Sequence, residues 1–380
     1  MKSIAILNQD SGYLMIDLAN AFHEAGYQVH LITGKLKPRN TLLNDEIVRH
    51  KVSPYNRSSS IKRIISWVLA ALQMFWICKF KLKGVRLLIV SNPPFAPLLP
   101  LILKNNFDLL IYDIYPDALH EMKVLGSQNL IVRIWEKLNV KVFRKADRIL
   151  TLTEGMKSVL TKYAGEKEIE VIPIWTDNQF LKPVPKNENP FTAKYNLQDK
   201  FVVMYSGNLG KSHIVDIIPE IASKINNPKV IFIIIGDGDQ KKGLEEQISK
   251  LKLTNLMMLP YQPAFDLPFT LSAADIAIVT LGKNASNLSV PSKTYNLMSV
   301  GAVILSIAET DSELASLTKQ FAFGETYRRD QLNEIITFIN NTASDHELHA
   351  TYKANSLKAS SHFDKSVNCK RIVEKKMRID

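Results

Sequence analysis

Short, mostly apolar runs alternate with longer amphipathic ones along most of this chain. In the first half, residues 3–8, 27–33, 87–91, 109–114, 148–153 and 170–173 are compact apolar stretches bounded by turn residues. That pattern predicts strands buried on both faces, as a parallel sheet requires. Residues 14–25 carry apolar positions at three-to-four spacing and end at Gly26, which predicts a helix. Residues 61–78 and 130–143 also predict helices, 95–103 is mostly helical despite its prolines, and 10–13 is a polar loop. The pattern restarts in the second half, with strands at 201–206, 230–235, 256–259 and 276–280. Helices are expected at 214–225, 243–251, 271–274 and 332–339, and one or two more in the tail from 350 to 379. Strand, helix, strand in repetition implies an α/β chain of two doubly wound parallel-sheet domains. Prolines 183, 185 and 190, set among Lys and Asn, mark residues 177–190 as the linker. The expected division is 1–182, then 183–360, then a helical tail at 361–380 that packs back on the first domain; Phe363, Val367 and Ile372 form an apolar stripe in the tail.

Residues 290–306, VPSKTYNLMSVGAVILS, compress one helix-to-strand step of such a sheet. Pro291 suits a helix start, Ser292 can cap it or lie beside the free amides, Gly301 stops it, and 302–305 is a buried strand. The free amides and positive dipole end at Pro291–Lys293, with the Lys293 charge, make an anion site. A second glycine-bearing loop, Gly207-Asn208-Leu209-Gly210-Lys211, follows the first strand of the second domain. Gly12 sits in the corresponding loop of the first domain, where it lets the backbone approach a ligand.

Composition changes this picture in one respect. The net charge is +11, and thirteen Lys and Arg between Lys35 and Lys104 face only Asp45 and Glu46. The whole excess therefore sits in one segment, which implies an anionic partner. Within it, 61–78 is apolar almost all round, carries Trp67 and Trp76, and is flanked by Arg57, Lys62, Arg63, Lys79, Lys81 and Lys83. Its uninterrupted run is short for a span and contains Gln73. A helix lying in the membrane interface and a buried helix of the first domain both fit, and the basic flanks favour the interface. The start of the chain has no charged region followed by a long apolar one, so no signal peptide is expected. Cys78 and Cys369 stand alone, which points to a reducing compartment and away from structural zinc. A nucleic-acid partner is not expected, because the basic residues are not interleaved with a stacking platform.

Few residues carry candidate chemistry. Asp113 and Asp117 flank Tyr115-Pro116 at a strand end, where a carboxylate can orient a hydroxyl, stabilise positive charge or cap a helix. Glu154 reads as a charge partner of a helix start, and His120 and His213 as structural or solvated. Asp237-Gly238-Asp239 has the form of a metal-binding DxD but reads as the glycine turn after a buried strand.

Taken in order, YSGNLGK, IIIGDGDQKKGLEEQI, LPYQPAFDLPFTLSAADIAIVTL and VPSKTYNLMSVGAVILS resemble the C-terminal half of the retaining glycosyltransferases of family 4, which have the GT-B fold. SNPPFAP, YDIYPDALHEMKVLG, ADRILTLTEGMKSVL and VIPIWTD are similar to the N-terminal half of bacterial members that build capsular, exopolysaccharide or O-antigen units. The resemblance implies two Rossmann-like domains facing a cleft, a UDP- or GDP-sugar donor held mainly by the second domain and an acceptor held mainly by the first. It carries Gly207, Asn208 and Lys211 to the loop that meets the donor diphosphate. Pro291, Ser292 and Lys293 fall where diphosphate oxygens are held, Gly236 and Asp237 beside the nucleotide, and Tyr261 and Gln262 near the base. The family's arginine in the first loop is absent, so neutralisation falls to Lys211 and Lys293. Of its two spaced glutamates, the one that binds ribose aligns with Asn296, and the other aligns near Leu288 or Ser289, where no carboxylate stands.

The expected activity is sugar transfer to a lipid-diphosphate-linked saccharide at the cytoplasmic face of the cell membrane, with no metal or other cofactor and residues 57–86 on the anionic surface. Retention lets the leaving phosphate oxygen take the acceptor proton. Lys211, Asp113 and Asp117 are the residues expected to act in the reaction. A nucleotide-sugar 2-epimerase of the same architecture and a non-catalytic partner in a polysaccharide assembly complex are the alternatives.

Overall fold

The computed structural model describes residues 2–118, 129–210, 213–282 and 290–374. It divides into two compact units, Met1–Pro173 with Ser366–Asp380, and Ile174–Lys365.

The first unit contains β1 (Ser3–Leu7), β2 (Asp10–Gly12), β3 (Gln28–Thr33), β4 (Lys35–Lys37), β5 (Val48–Lys51), β6 (Arg86–Val90), β7 (Phe107–Ile111), β8 (Arg148–Thr151) and β9 (Ile169–Val171). Seven of these form one all-parallel sheet in the order β5-β3-β1-β6-β7-β8-β9. The chain winds outward from β1 in one direction and from β6 in the other, which is the doubly wound arrangement expected. Two strands depart from the expectation. The loop at 10–13 is partly strand, because β2 pairs in parallel with β4 and an Asp10–Lys37 ion pair joins them. β5 is the sheet's edge and reads Val-Arg-His-Lys, with Val48 itself exposed, so it carries no apolar run to announce it.

Helices Tyr13–Glu24, Ser60–Phe80, Leu130–Lys145 and Glu154–Ala164 cover this sheet. Thr153 caps the last of them by accepting from the Met156 amide, and Glu154 sits in its first turn. The segment expected to be mostly helical is a short 3-10 helix, Ala96–Leu101, with Pro100 inside it. Ser60–Phe80 is long and apolar enough to cross a membrane by length and composition, yet only a third of its most apolar window is buried. Trp67, Ala70, Ala71, Met74 and Cys78 face inward, while Ile61, Ile64, Ile65, Val68, Leu72 and Trp76 are exposed.

The second unit contains β10 (Phe201–Ser206), β11 (Val230–Ile235), β12 (Leu256–Leu259), β13 (Ile276–Thr280), β14 (Val303–Ile307) and β15 (Gly324–Tyr327), all parallel in the order β12-β11-β10-β13-β14-β15. Successive side chains of these strands enter two different cores. Met204, Ile233, Ala277 and Ile304 pack on one face, and Val203, Phe232, Ile276 and Val303 on the other. Both faces of the four inner strands, β10, β11, β13 and β14, are buried, which is why these strands read as nearly unbroken apolar runs. The helix expected over 214–225 is confined to Ile218–Ser223, with Pro219 in its first turn. The sequence reading passes over Glu313–Phe321 and β15.

The crossing between the units falls at Pro173, ahead of the proline-bearing stretch. That stretch packs on the second core: Leu181 is fully buried and Asn189 caps Pro190–Lys194. It is a connection anchored at Asp177, Leu181 and Asn189, while Pro183, Pro185 and Pro190 themselves are exposed. The chain returns through His346–Ser360, and Lys365–Glu374 docks on the first unit. There Arg148 Nη1 donates to Ile372 O, and Arg371 Nη2 to Val171 O.

Candidate functional site

The second sheet reverses its winding between β10 and β13, and ligands of such sheets bind outside the strand ends at that point. Three loops meet there. The first, after β10, begins with Gly207. The second, after β11, is Gly236-Asp237-Gly238. They are laced together: Gly207 N donates to Ile235 O, Leu209 N to Asp237 O, and Gln240 N to Leu209 O. Gln240 Nε2 adds bonds to the carbonyls of Gly210 and His213. The approach demands glycine at Gly236, where a Cβ would lie 1.9 Å from Gly207 O.

The third element is the helix Lys293–Ser299. Pro291 and Ser292 precede it, Ser292 is in a helical conformation and makes no side-chain cap bond, and Thr294 N donates to Pro291 O. Gly301, at φ +72°, ends the helix, and Ala302 N donates back to Leu297 O before β14 begins. The helix is short, so its dipole contributes little beyond its first turn.

Lys293 supplies the charge. Its Nζ is buried, has no hydrogen-bond partner among the described residues, and lies 3.7 Å from the centre of the Tyr205 ring. A Cβ on Gly207 would sit 3.4 Å from it. Burial pulls the Lys293 pKa down from 10.5 to about 7. His213 is also lowered, first by burial and then by the Lys293 charge. Tyr205 comes from inside β10, and its hydroxyl donates to Asn208 O in the first loop. Sequence reasoning missed Tyr205 because it sits in an apolar strand run, where an aromatic residue signals only core. A buried amine beside a ring face, with no hydrogen-bond partner among the described residues, is suited to an anion.

The other expected donor-site residues are distributed around these loops. Asn208 is exposed, and Asp237 accepts from the Gly238 amide. Tyr261 and Gln262 follow β12 on the surface, with Gln262 Nε2 donating to Pro260 O. Asn296 Oδ1 accepts from Thr176 Oγ1 at 3.0 Å, so its carboxamide is engaged where the chain enters the second unit. Lys211, Leu288 and Ser289 lie outside the described residues, as does His120. No group of three or more His, Cys, Asp or Glu side chains that could hold a metal is present among the described residues.

In the first unit, Gly12 precedes Tyr13–Glu24 at φ −83°, and a Cβ there would meet nothing within 4 Å. Asp113 lies beyond the end of β7, and Ser91 Oγ accepts from its amide and from that of Tyr112. It lines a pocket with Ser91, Ile111, Tyr115, Asn139 and Phe143. Its side chain keeps contact with solvent, yet the protein packed around it raises its carboxyl above the usual range. Asp117 is differently placed: it is paired with Lys162 and accepts from Tyr163 Oη at 2.6 Å. Both Asp117 oxygens are therefore already in use.

Comparison with known proteins agrees with this geometry. Residues 187–357 match the family described as glycosyl transferases group 1. The chain is similar to a probable glycosyltransferase, WbjE, of Pseudomonas aeruginosa, at 26% identity over 70% of this chain and 69% of the relative. It is similar at the same identity to a putative colanic acid biosynthesis glycosyl transferase, WcaI, of Escherichia coli, over 46% of this chain but only 44% of that one. A chitobiosyldiphosphodolichol beta-mannosyltransferase of Candida albicans is 21% identical over 90% of this chain and 80% of its own. Among solved structures, sucrose-phosphate synthase of Thermosynechococcus elongatus superposes with a TM-score of 0.77 at 13% identity, over 100% of this chain and 99% of that one. Anabaena HepE in complex with UDP superposes with a TM-score of 0.74 at 16% identity, over the full length of both. The fold is that of the GT-B glycosyltransferases, and the match to the group 1 glycosyltransferase family covers residues 187–357 of this chain.

Proposed function

We propose that the protein is a retaining glycosyltransferase that moves a sugar from a UDP- or GDP-sugar to a lipid-diphosphate-linked saccharide during surface polysaccharide synthesis. The observation that carries this reading is Lys293, a buried ammonium without a hydrogen-bonding partner among the described residues, at the strand ends of a doubly wound sheet. A diphosphate satisfies that charge and the loop amides around it. The structural neighbour solved with UDP supports a nucleotide-sugar donor, WcaI supports polysaccharide synthesis, and the dolichol-linked mannosyltransferase supports a lipid diphosphate on the acceptor.

In this reading Lys293 and Lys211 take up the charge that develops on the leaving diphosphate. The acceptor oxygen bonds to the anomeric carbon as the bond from that carbon to the phosphate oxygen breaks. The departing phosphate oxygen accepts the hydroxyl proton on the same face, so no protein base and no metal are needed. Asn208, Gly236, Asp237, Pro291 and Ser292 frame the phosphates, Tyr261 and Gln262 the base, and Asn296 the ribose. Asp113, with its raised carboxyl, orients the acceptor from the first unit, while Asp117 acts through the Lys162 and Tyr163 contacts that hold its loop. The exposed apolar side chains of Ser60–Phe80 and the basic residues around them hold the protein on the anionic inner face of the membrane through residues 57–86.

The test is nucleotide release from a panel of nucleotide-sugars, with and without a polyprenyl-diphosphate saccharide. Release that requires the acceptor supports the transferase. Release without it supports an epimerase, and donor binding with no turnover supports a non-catalytic role.

A further inference from the structure

The exposed apolar surface of the first unit does not end with Ser60–Phe80. Leu130, Ile131 and Ile134, in the first turns of Leu130–Lys145, are 69%, 62% and 49% exposed, which is unusual for three neighbouring aliphatic residues on one helix. Val132, Trp135, Asn139, Val142 and Phe143 form the face that packs inward. Strand order tells where this helix lies. From β5 to β6, from β6 to β7 and from β7 to β8 the chain moves across the sheet in one direction. Right-handed crossovers then put Ser60–Phe80, Ala96–Leu101 and Leu130–Lys145 on the same face. Ring contacts agree: Tyr115 lies 6.0 Å from Trp67 of the first helix and 6.1 Å from Trp135 of the last, and Phe95 stacks on Trp135 at 5.0 Å.

Charge identifies the occupant. Leu130–Lys145 carries Arg133, Lys137, Lys141, Arg144 and Lys145 against a single acid, Glu136, which faces Lys162 at 3.6 Å. Ser60–Phe80 and its flanks carry Lys62, Arg63, Lys79 and Lys81 and no acid. Long aliphatic side chains accompanied by cations on two helices of one sheet face complement an anionic lipid surface, which supplies acyl chains and phosphates together.

We propose that Leu130–Lys145 is a second membrane-contacting element, with Leu130, Ile131 and Ile134 inserting at the acyl boundary and Arg133 and Lys137 meeting lipid phosphates. The proposal rests on the membrane reading of Ser60–Phe80 and adds a second contact to it. Two helices on one sheet face fix how the first unit is turned toward the bilayer, whereas one helix leaves it free to roll. Tyr115, whose ring lies against Trp67 of one helix and Trp135 of the other, lines the same pocket as Asp113, so that pocket sits against both helices.

The experiment is co-sedimentation of the full chain with phosphatidylglycerol-containing vesicles and with phosphatidylcholine vesicles. The wild type should sediment with the anionic vesicles, and added salt should weaken it. Changing Leu130, Ile131 and Ile134 together to Asn should weaken the partition coefficient about tenfold or more while leaving the melting temperature unchanged, because these side chains touch solvent and not core. Arg133→Glu with Lys137→Glu, which keeps every apolar side chain, should weaken it as well. An Ile65→Asn, Leu72→Asn variant serves as the reference for the other helix. If that reference loses binding while both variants of Leu130–Lys145 bind like wild type, the inference is overturned and the membrane reading stands. If the wild type fails to sediment with anionic vesicles, both fall. If light scattering shows a dimer that the triple variant dissolves, the face belongs to a second copy and the inference is overturned.

Discussion

Replacing Lys293 with Met tests the donor site through stability as well as activity. The Lys293 ammonium is buried, faces the Tyr205 ring at 3.7 Å, and has its pKa pulled from 10.5 to about 7. One pKa unit corresponds to about 1.4 kcal/mol, so a shift of this size costs the folded state up to about 5 kcal/mol when the lysine is charged in the unfolded chain. The ring returns about 1–2 kcal/mol of that. Between pH 7 and 10.5 the unfolded chain binds a proton at this lysine that the folded chain does not, so stability rises with pH across that window. Below pH 7 the penalty is present in full.

Methionine keeps the length of the side chain and removes the charge. The variant should therefore gain about 3 kcal/mol near pH 6.5, and the gain should shrink steadily by about pH 9.5. Urea unfolding at several pH values measures it. Calorimetric titration with UDP should show affinity falling about tenfold or more, since one charge-assisted contact is lost. Wild-type binding near pH 8 should also take up a proton, because the diphosphate restores the ammonium, and the binding enthalpy should then depend on the buffer. A variant no more stable than wild type at pH 6.5, together with undiminished UDP affinity, would show that Lys293 is an ordinary packed lysine and refute the reasoning.

Two further outcomes follow from the same structure. Gly236→Ala should separate the two donor loops, because its Cβ would lie 1.9 Å from Gly207 O; a loss of about 2–4 kcal/mol in unfolding free energy with weakened UDP binding is expected. Asp113→Asn should lower kcat/KM by about a hundredfold with little change in the melting temperature. In the wild type the Asp113 pKa is raised, so its contribution makes the folded state more stable as pH falls through the raised value, and the Asn variant should lack that rise in urea midpoints.

Much of the fold was legible because burial on both faces forces a strand to be apolar throughout. Val230–Ile235 and Ile276–Thr280 coincide with their apolar runs for that reason. β5 and β15 were not legible: an edge strand needs no second apolar face, and Val-Arg-His-Lys and Gly-Glu-Thr-Tyr look like loop. The stretch 177–190 misled in the other direction, since proline marks a lack of regular structure and not a lack of contacts. At the candidate site, Lys293 stood out as a charge beside a helix start. Tyr205 did not, because its role depends on a ring face meeting an ammonium from a distant part of the chain.

The sequence by itself determined the buried strands and the longer amphipathic helices, that two doubly wound sheets follow one another, and that glycines bracket the strand ends. Those features are local: periodicity, chain reversal and steric room are set by neighbours in the chain. Tertiary structure alone decided the strand order, the burial that lowers the Lys293 pKa, the pairing of Asp117 with Lys162 and Tyr163, and the bond from Thr176 to Asn296. Each of these depends on groups far apart in sequence and on how much water is excluded where they meet, and neither quantity is written in any one stretch of the chain.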